Sequence, residues 1–433
     1  MRILVALIIL VSMRVEAATI QAASASFSDV QTAVTSSASG DTVTIPNGSA
    51  DWGSSLLNTG GKQIIIRALN YTATSRPTNN VTRNVVITWN GSGAGDQMIN
   101  FVTGNTHYCG IGGIEIRPNT LGEQGGAGIW GYINFSGSGT KPGVVFDCHI
   151  VGNERQNVSA NEAAFITCSG LGCVVKNTFF DGTQTTVTAG HGGGGLSGAG
   201  IQIKNSQSWT TASTMGTADT DGNINVYFED CFFDWFGQLD GDERSRVVCR
   251  QSTLRGISWQ NHGFTSGTPG RHFEQYDTLC LNDRTDRNFR RWFWLRGGTC
   301  LFTDNALNDD NSGYGSVTGI SYGDNSVPSG SYPVDMGPGR GHNGTSHVSD
   351  PVYMWGNTGG AAIAWGLGGD SGWTSHFVED RDIFVSANDD DAKPSYTKYT
   401  YPHPVWAAIE GGGGSPPGIS ARVGTGKSTG RAR

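Results

Sequence analysis

One phrase recurs along the chain: an apolar run, a polar residue, a small or amide residue, then apolar residues again. It reads Val144-Val145-Phe146-Asp147-Cys148-His149-Ile150, then Val174-Val175-Lys176-Asn177-Thr178-Phe179, then Tyr227-Phe228-Glu229-Asp230-Cys231-Phe232-Phe233. Further copies begin at Val247, Phe273, Leu301 and Tyr353. Taking residues 148, 177, 231, 252, 278, 305 and 357 as equivalent gives gaps of 29, 54, 21, 26, 27 and 52, the two long ones counting as two periods each. The runs are short, β-branched and aromatic, and Gly and Asn punctuate them, which excludes an α-solenoid. They predict an all-β right-handed parallel β-helix, with coils of about 26 residues and a ladder of small polar residues at one corner.

Alternation then assigns faces. Three and five residues before the ladder, side chains point inward: Val145, Val174, Phe228, Cys249, Phe302 and Met354, with Val226, Val247, Phe273, Cys300 and Val352. Gln275 breaks the pattern. Four residues before it, Tyr227, Val248, Glu274, Leu301 and Tyr353 face outward, and Arg246, His272 and Thr299 share that face. Glu274 and His272 thus become neighbours on an exposed wall with Arg246 one coil away, a set suited to proton transfer.

One coil later, alternation turns Phe293 and Leu295 inward and Arg290, Trp292, Trp294 and Arg296 outward. Indole faces accept sugar C–H groups, and guanidinium forks bind carboxylates or sulfates. Asp240 and Asp242 fall in an acidic loop expected near His262. Either aspartate with Glu274 would form an acid–base pair across one glycosidic bond. The catalytic candidates are therefore Glu274, His272, His262, Asp240 and Asp242. The substrate-binding candidates are Arg246, Arg271, Tyr276, Arg290, Trp292, Trp294 and Arg296.

Composition narrows the setting. Gly makes up 65 of 433 residues without a collagen period, and the net charge of −8 argues against nucleic acid as partner. Residues 1–18 read as a signal peptide, residues 19–408 as the β-helix, and residues 409–433 as a flexible Gly/Pro/Ser-rich tail. No later stretch is long and apolar enough to span a bilayer, so a secreted, soluble protein is expected. A short helix over residues 27–37 would cap the first coil. The eight cysteines lack zinc spacing and read mostly as small core residues, and whether one pair is bridged stays open. The acidic turns at residues 308–311 and 388–391 carry oxygens for Ca²⁺ without EF-hand spacing; otherwise no cofactor is expected.

Asp29-Val30-Gln31, Gly40-Asp41-Thr42-Val43 and Ile45-Pro46-Asn47-Gly48 with Trp52 resemble the start of secreted proteins with the pectin-lyase-like β-helix fold. His262-Gly263, Arg271, Glu274, Tyr276 and Leu295-Arg296-Gly297-Gly298-Thr299 resemble a bacterial subgroup of these, as do Asp350 to Asn357 and Tyr399 to Pro404. The likeness covers roughly residues 25–405. It implies the fold and a protein that acts on or binds an extracellular polysaccharide. A polysaccharide lyase or glycoside hydrolase is one expectation; a non-catalytic, adhesin-like or structural surface protein is the alternative. The motifs of pectate lyases and polygalacturonases, including the latter's Asp-Asp pair after an Asn, are absent.

Overall fold

The computed structural model describes residues 17–72, 83–89, 97–118, 130–151, 164–168, 172–181, 199–204, 208–234, 238–242, 244–261, 269–283, 291–308, 318–323, 336–359, 365–368, 371–386 and 390–412. Its strands form three parallel sheets of 12, nine and ten strands, called walls A, B and C, which the chain visits in turn. The result is the expected right-handed parallel β-helix. Among the described residues the one antiparallel pair is the hairpin Arg340–His342 with His347–Ser349. Helix α1 (Phe27–Ser36) begins at Ser26, whose hydroxyl accepts from the Asp29 N–H, and lays Val30, Ala33 and Val34 on the first coil.

The interior is a stack of aligned columns. On wall A, Ile111, Val145, Val175, Phe228, Cys249, Gln275, Phe302 and Met354 are in successive register. All are fully buried. The Gln275 amide nitrogen donates to the Cys280 sulfur at 3.2 Å, while its carbonyl oxygen is buried without a hydrogen-bond partner among the described residues. Aromatic rings fill the space between walls: Phe273 lies 4.6 Å from Trp259 and 4.7 Å from Phe293, centroid to centroid. All eight cysteines are buried free thiols, so no pair is bridged.

The corner between walls A and B corrects the expected register. Val145 pairs with Val175, so the equivalent of Cys148 is Thr178; Asn177 is off by one, and Val174 faces away from the main core. Both residues are small and polar, which is why the phrase slips here. Position 177 has a separate role. Asp147, Asn177, Asp230, Gln251, Asp277, Asp304 and Gly356, one per coil, all have φ between 50° and 62°. Short amide and carboxylate side chains tolerate this left-handed backbone best after glycine. The next residue bonds the bend: the Ser252 and Thr278 hydroxyls donate to the carbonyls of Arg250 and Tyr276 at 2.9 and 3.1 Å. Asn305 and Asn357 stack through their amides at 3.0 Å. Gln251 departs most from the residues suited to this backbone. Gln251→Val should destabilise by about 1–2 kcal/mol, and Gln251→Gly should leave stability within a few tenths or raise it. Paired urea titrations check this; equal midpoints would contradict it.

The two long gaps are single coils, not pairs. The strand Cys173–Lys176 pairs directly with Val226–Glu229, and Thr299–Thr303 with Val352–Trp355. The extra residues leave the solenoid as excursions. One, residues 208–225, folds back over the outer surface of wall A. The C-terminal segment 390–412 joins it, ending in helix α2 (Val405–Gly412), which runs into the stretch expected as tail. Together they bury a second apolar cluster on the outside of wall A: Val144, Val174, Tyr227, Val248, Tyr276 and Leu301 against Met215, Tyr399, Val405 and Trp406. No helix among the described residues is long and apolar enough to cross a membrane.

Candidate functional site

The outer side of wall A aligns its polar groups as expected: Arg246 pairs with His272, and Val248 with Glu274. It does not expose them. Arg246 and Glu274 are 0 % exposed and His272 is 2 % exposed, because the two covering segments close over the strand. Glu274 accepts from the Tyr396 hydroxyl at 2.7 Å and the Gly216 N–H at 3.2 Å. His272 Nε2 lies 3.0 Å from Asn225 Oδ1 and 3.8 Å from Glu274. Burial first, then Arg246 and Arg271, holds the imidazole well below its usual range. Arg246 donates to the carbonyls of Ser208, Thr211 and Ala212, and burial lowers it to about 10. Arg271 and Tyr276 are also interior. Arg271 pairs with Asp350 at 2.8 Å under Trp209, and the Tyr276 hydroxyl accepts from Arg250 at 3.1 Å. These five residues fasten the cover to the wall; as folded, none meets a polymer in solvent. The sequence repeat could not show this, since the covering segments lie outside the repeat.

Wall C carries a different strip. Asn58, Asn100, Asn134, Thr167, Gln202, Asp240, Gln260, Trp294, Ser321 and Gly366 occupy one continuous register line through all ten strands. The line stands beside a buried column that includes Leu57, Ile99, Ile133, Ile166, Trp259, Phe293 and Ile320, so alternation separates it from the core. Asn58 is exposed, Asn100 and Trp294 are half-buried, and Asn134, Thr167, Gln260 and Ser321 are shielded. Asn134 donates to Asn100 at 2.9 Å, and Trp294 donates from its indole to the Gly323 carbonyl at 2.8 Å. The Arg296 guanidinium lies 4.8 Å from the Trp294 ring centroid. The buried Asn261 side chain accepts from the Arg296 N–H at 2.6 Å and donates to the Gly297 carbonyl, fixing the chain under that pair.

The strip keeps part of the expected sugar platform and removes part. Trp294 and Arg296 are together. Trp292 is not with them: at 1 % exposure it packs into the main core cluster, and no ring face is open. The register runs Arg291 to Thr318 and Phe293 to Ile320 on either side of it. Asp240 and Asp242 lie on the strand Gln238–Asp242, not in a loop, opposite Gln202 and Lys204. Neither pairs with Glu274, which belongs to wall A beneath its cover. His262 and Arg290 lie outside the described residues. Sequence reasoning missed Lys204, Gln202 and Gln260. Their signal was a second alternating phrase one strand before each copy of the first, diluted by connections of very different length.

Wall B holds one further cluster that the repeat phrase contained unread. His149 Nδ1 lies 3.2 Å from Glu115 Oε2 and its Nε2 lies 3.2 Å from Asp181 Oδ2, with the ring stacked on Phe179 at 4.8 Å. The three groups cross three successive coils and tie them together. No group of three or more His, Cys, Asp or Glu among the described residues is arranged to hold a metal ion.

No family model matches the chain, and no curated protein matches it. Among solved structures, an alginate lyase from Paenibacillus sp. aligns at 13 % identity and a TM-score of 0.38, over 70 % of this chain and 97 % of the other. A mannuronic acid specific polysaccharide family 6 lyase from human gut microbiota aligns at 15 % and 0.35, over 82 % and 77 %. The receptor-binding protein of bacteriophage Det7, a tailspike, aligns at 12 % and 0.19, over 82 % and 76 %. At these scores the three are similar in outline only, and the parallel β-helix rests on the sheets described above.

Proposed function

We propose that the protein is an extracellular carbohydrate-active enzyme that lays a polysaccharide along the register line of wall C and cleaves it there. The observation that supports this reading is the half-buried Trp294 ring with Arg296 against it, set on a line of polar sequence positions that repeats at the spacing of adjacent strands, about 4.8 Å, close to the length of one sugar residue; the buried Asn134, Thr167, Gln260 and Ser321 would support that surface from beneath. Trp294 and Arg296 would receive a sugar ring and an anionic substituent. Asp240 and Asp242, with Lys204 opposite Asp242, would supply the acid and base.

The test is a screen of the purified protein against uronate-rich and neutral glycans, following ultraviolet absorbance of an unsaturated product and release of reducing ends. A lyase yields both signals, a hydrolase only the second. Asp240→Asn or Asp242→Asn should lower turnover by about 10²–10⁴-fold while binding persists. If both variants turn over at the wild-type rate, the site lies elsewhere. Binding without turnover by the wild type would leave a glycan-binding protein in place of an enzyme.

A further inference from the structure

Residues 208–225 and 390–412 close over wall A, and we propose that Glu274 makes this closure pH-sensitive: the closed cover shuts the carboxyl away from water, which favours its neutral form, so the segments sit tightest at low pH and loosen as it ionises. This is independent of the reading of wall C.

Glu274 is the point where the two segments meet the wall. One oxygen accepts from Tyr396 of the C-terminal segment and the other from Gly216 of the excursion. Neither segment adds a strand to wall A; apart from the Cys173 N–H donated to the Asn225 carbonyl at 3.4 Å, their hydrogen bonds to the wall involve side chains. The Tyr399 hydroxyl donates to the Thr214 carbonyl at 2.5 Å and accepts from Asn225 at 3.1 Å, so the segments also grip each other.

Arg250 pulls the Glu274 carboxyl down electrostatically, but the nearby cations spend their hydrogen bonds on other partners. On its own strand stand His272 and Tyr276, and on the adjacent strand Arg246 and Arg250. Arg250 is committed to Glu229, and Arg246 to excursion carbonyls and Thr214. On the other adjacent strand, Cys300 is buried in the core. From the covering segments come Asp219, Lys393, Tyr396 and Tyr399, with Arg271 and its partner Asp350 beyond His272. Burial pushes Tyr276, Tyr396 and Tyr399 upward and His272 downward, each away from neutrality. Glu274 moves toward it: burial raises the carboxyl from 4.5 to about 7, against hydrogen bonds from Tyr396, Gly216 and Tyr399 that pull it back.

The sign follows. With the cover open, the carboxyl regains water and its ordinary value. Between 4.5 and about 7 the open form is ionised and the closed form is not, so opening becomes easier as pH rises through that window and levels off above it. The upper limit is about tenfold per pH unit. Hydrogen exchange of the full chain, corrected for intrinsic rate, reads this directly. Protection of peptides from 208–225 and 393–409 should fall by about ten- to a hundredfold across the window, while wall B peptides hold constant. Glu274→Gln should abolish the slope. Tyr396→Phe, which removes a bond that favours the ionised form, should move the midpoint upward and serves if Glu274→Gln fails to fold. Protection independent of pH in the wild type, a wild-type slope in Glu274→Gln, or an unmoved midpoint in Tyr396→Phe would each overturn the proposal.

Discussion

Arg250→Ala should lower the unfolding free energy by about 3–5 kcal/mol, the largest loss expected from one substitution outside the apolar core. Arg250 and Glu229 are both 0 % exposed and joined through Nε at 2.7 Å and through Nη2. Arg250 also donates to the Tyr399 and Thr400 carbonyls, each at 2.7 Å. Glu229 in turn accepts from the His403 N–H and the Trp406 indole, both at 3.1 Å. Removing the guanidinium leaves a buried carboxylate uncompensated and two backbone carbonyls without a donor. The paired change Glu229→Gln with Arg250→Met should recover much of the loss, because the expense lies in the orphaned charge and not in the absence of the pair. Urea titrations followed by tryptophan emission compare the three proteins. A single variant within about 1 kcal/mol of wild type would show that the pair is not a structural lock.

Trp294→Ala should weaken affinity for the glycan identified in the screen by about ten- to thirtyfold, equivalent to roughly 1.4–2 kcal/mol. Trp294 is half-buried, its indole nitrogen is already held by Gly323, and Arg296 lies against it, so the ring is oriented before ligand arrives. Trp294→Phe should keep most of the affinity, since a ring face remains. Arg296→Gln should weaken binding of charged glycans more than neutral ones, and added salt should shrink that difference. Titration calorimetry gives all three values. Unchanged affinity in Trp294→Ala would remove this residue from the contact surface.

The solenoid was legible because each coil repeats the same physical demand: alternating apolar residues inside and one special backbone at a corner. The phrase containing Cys148, Cys231, Ser252, Thr278, Asn305 and Asn357 found walls A and B from sequence alone. The slip at Asn177 shows the limit, for two adjacent small polar residues satisfy the same pattern and only strand pairing separates them. The site was less legible for a different reason. Alternation tells core from not-core, and Glu274 is on the not-core side, but nothing local announces that Tyr396, 122 residues later, covers it. Wall C was obscured by its connections: its strands follow wall B after three undescribed residues in one coil and after 17 in another.

The bend between walls A and B has a consequence for how such a chain can change. It uses two residues in every coil from Phe146 to Thr303, whether the rest of the coil is short or long. Length variation is therefore confined to the joints on either side of wall C, while the opposite edge acts as a spine of constant pitch. Segments inserted or deleted at those joints would reshape the rim around the polar line without shifting any coil, so new ligand preferences could arise on this scaffold with its stacking order intact.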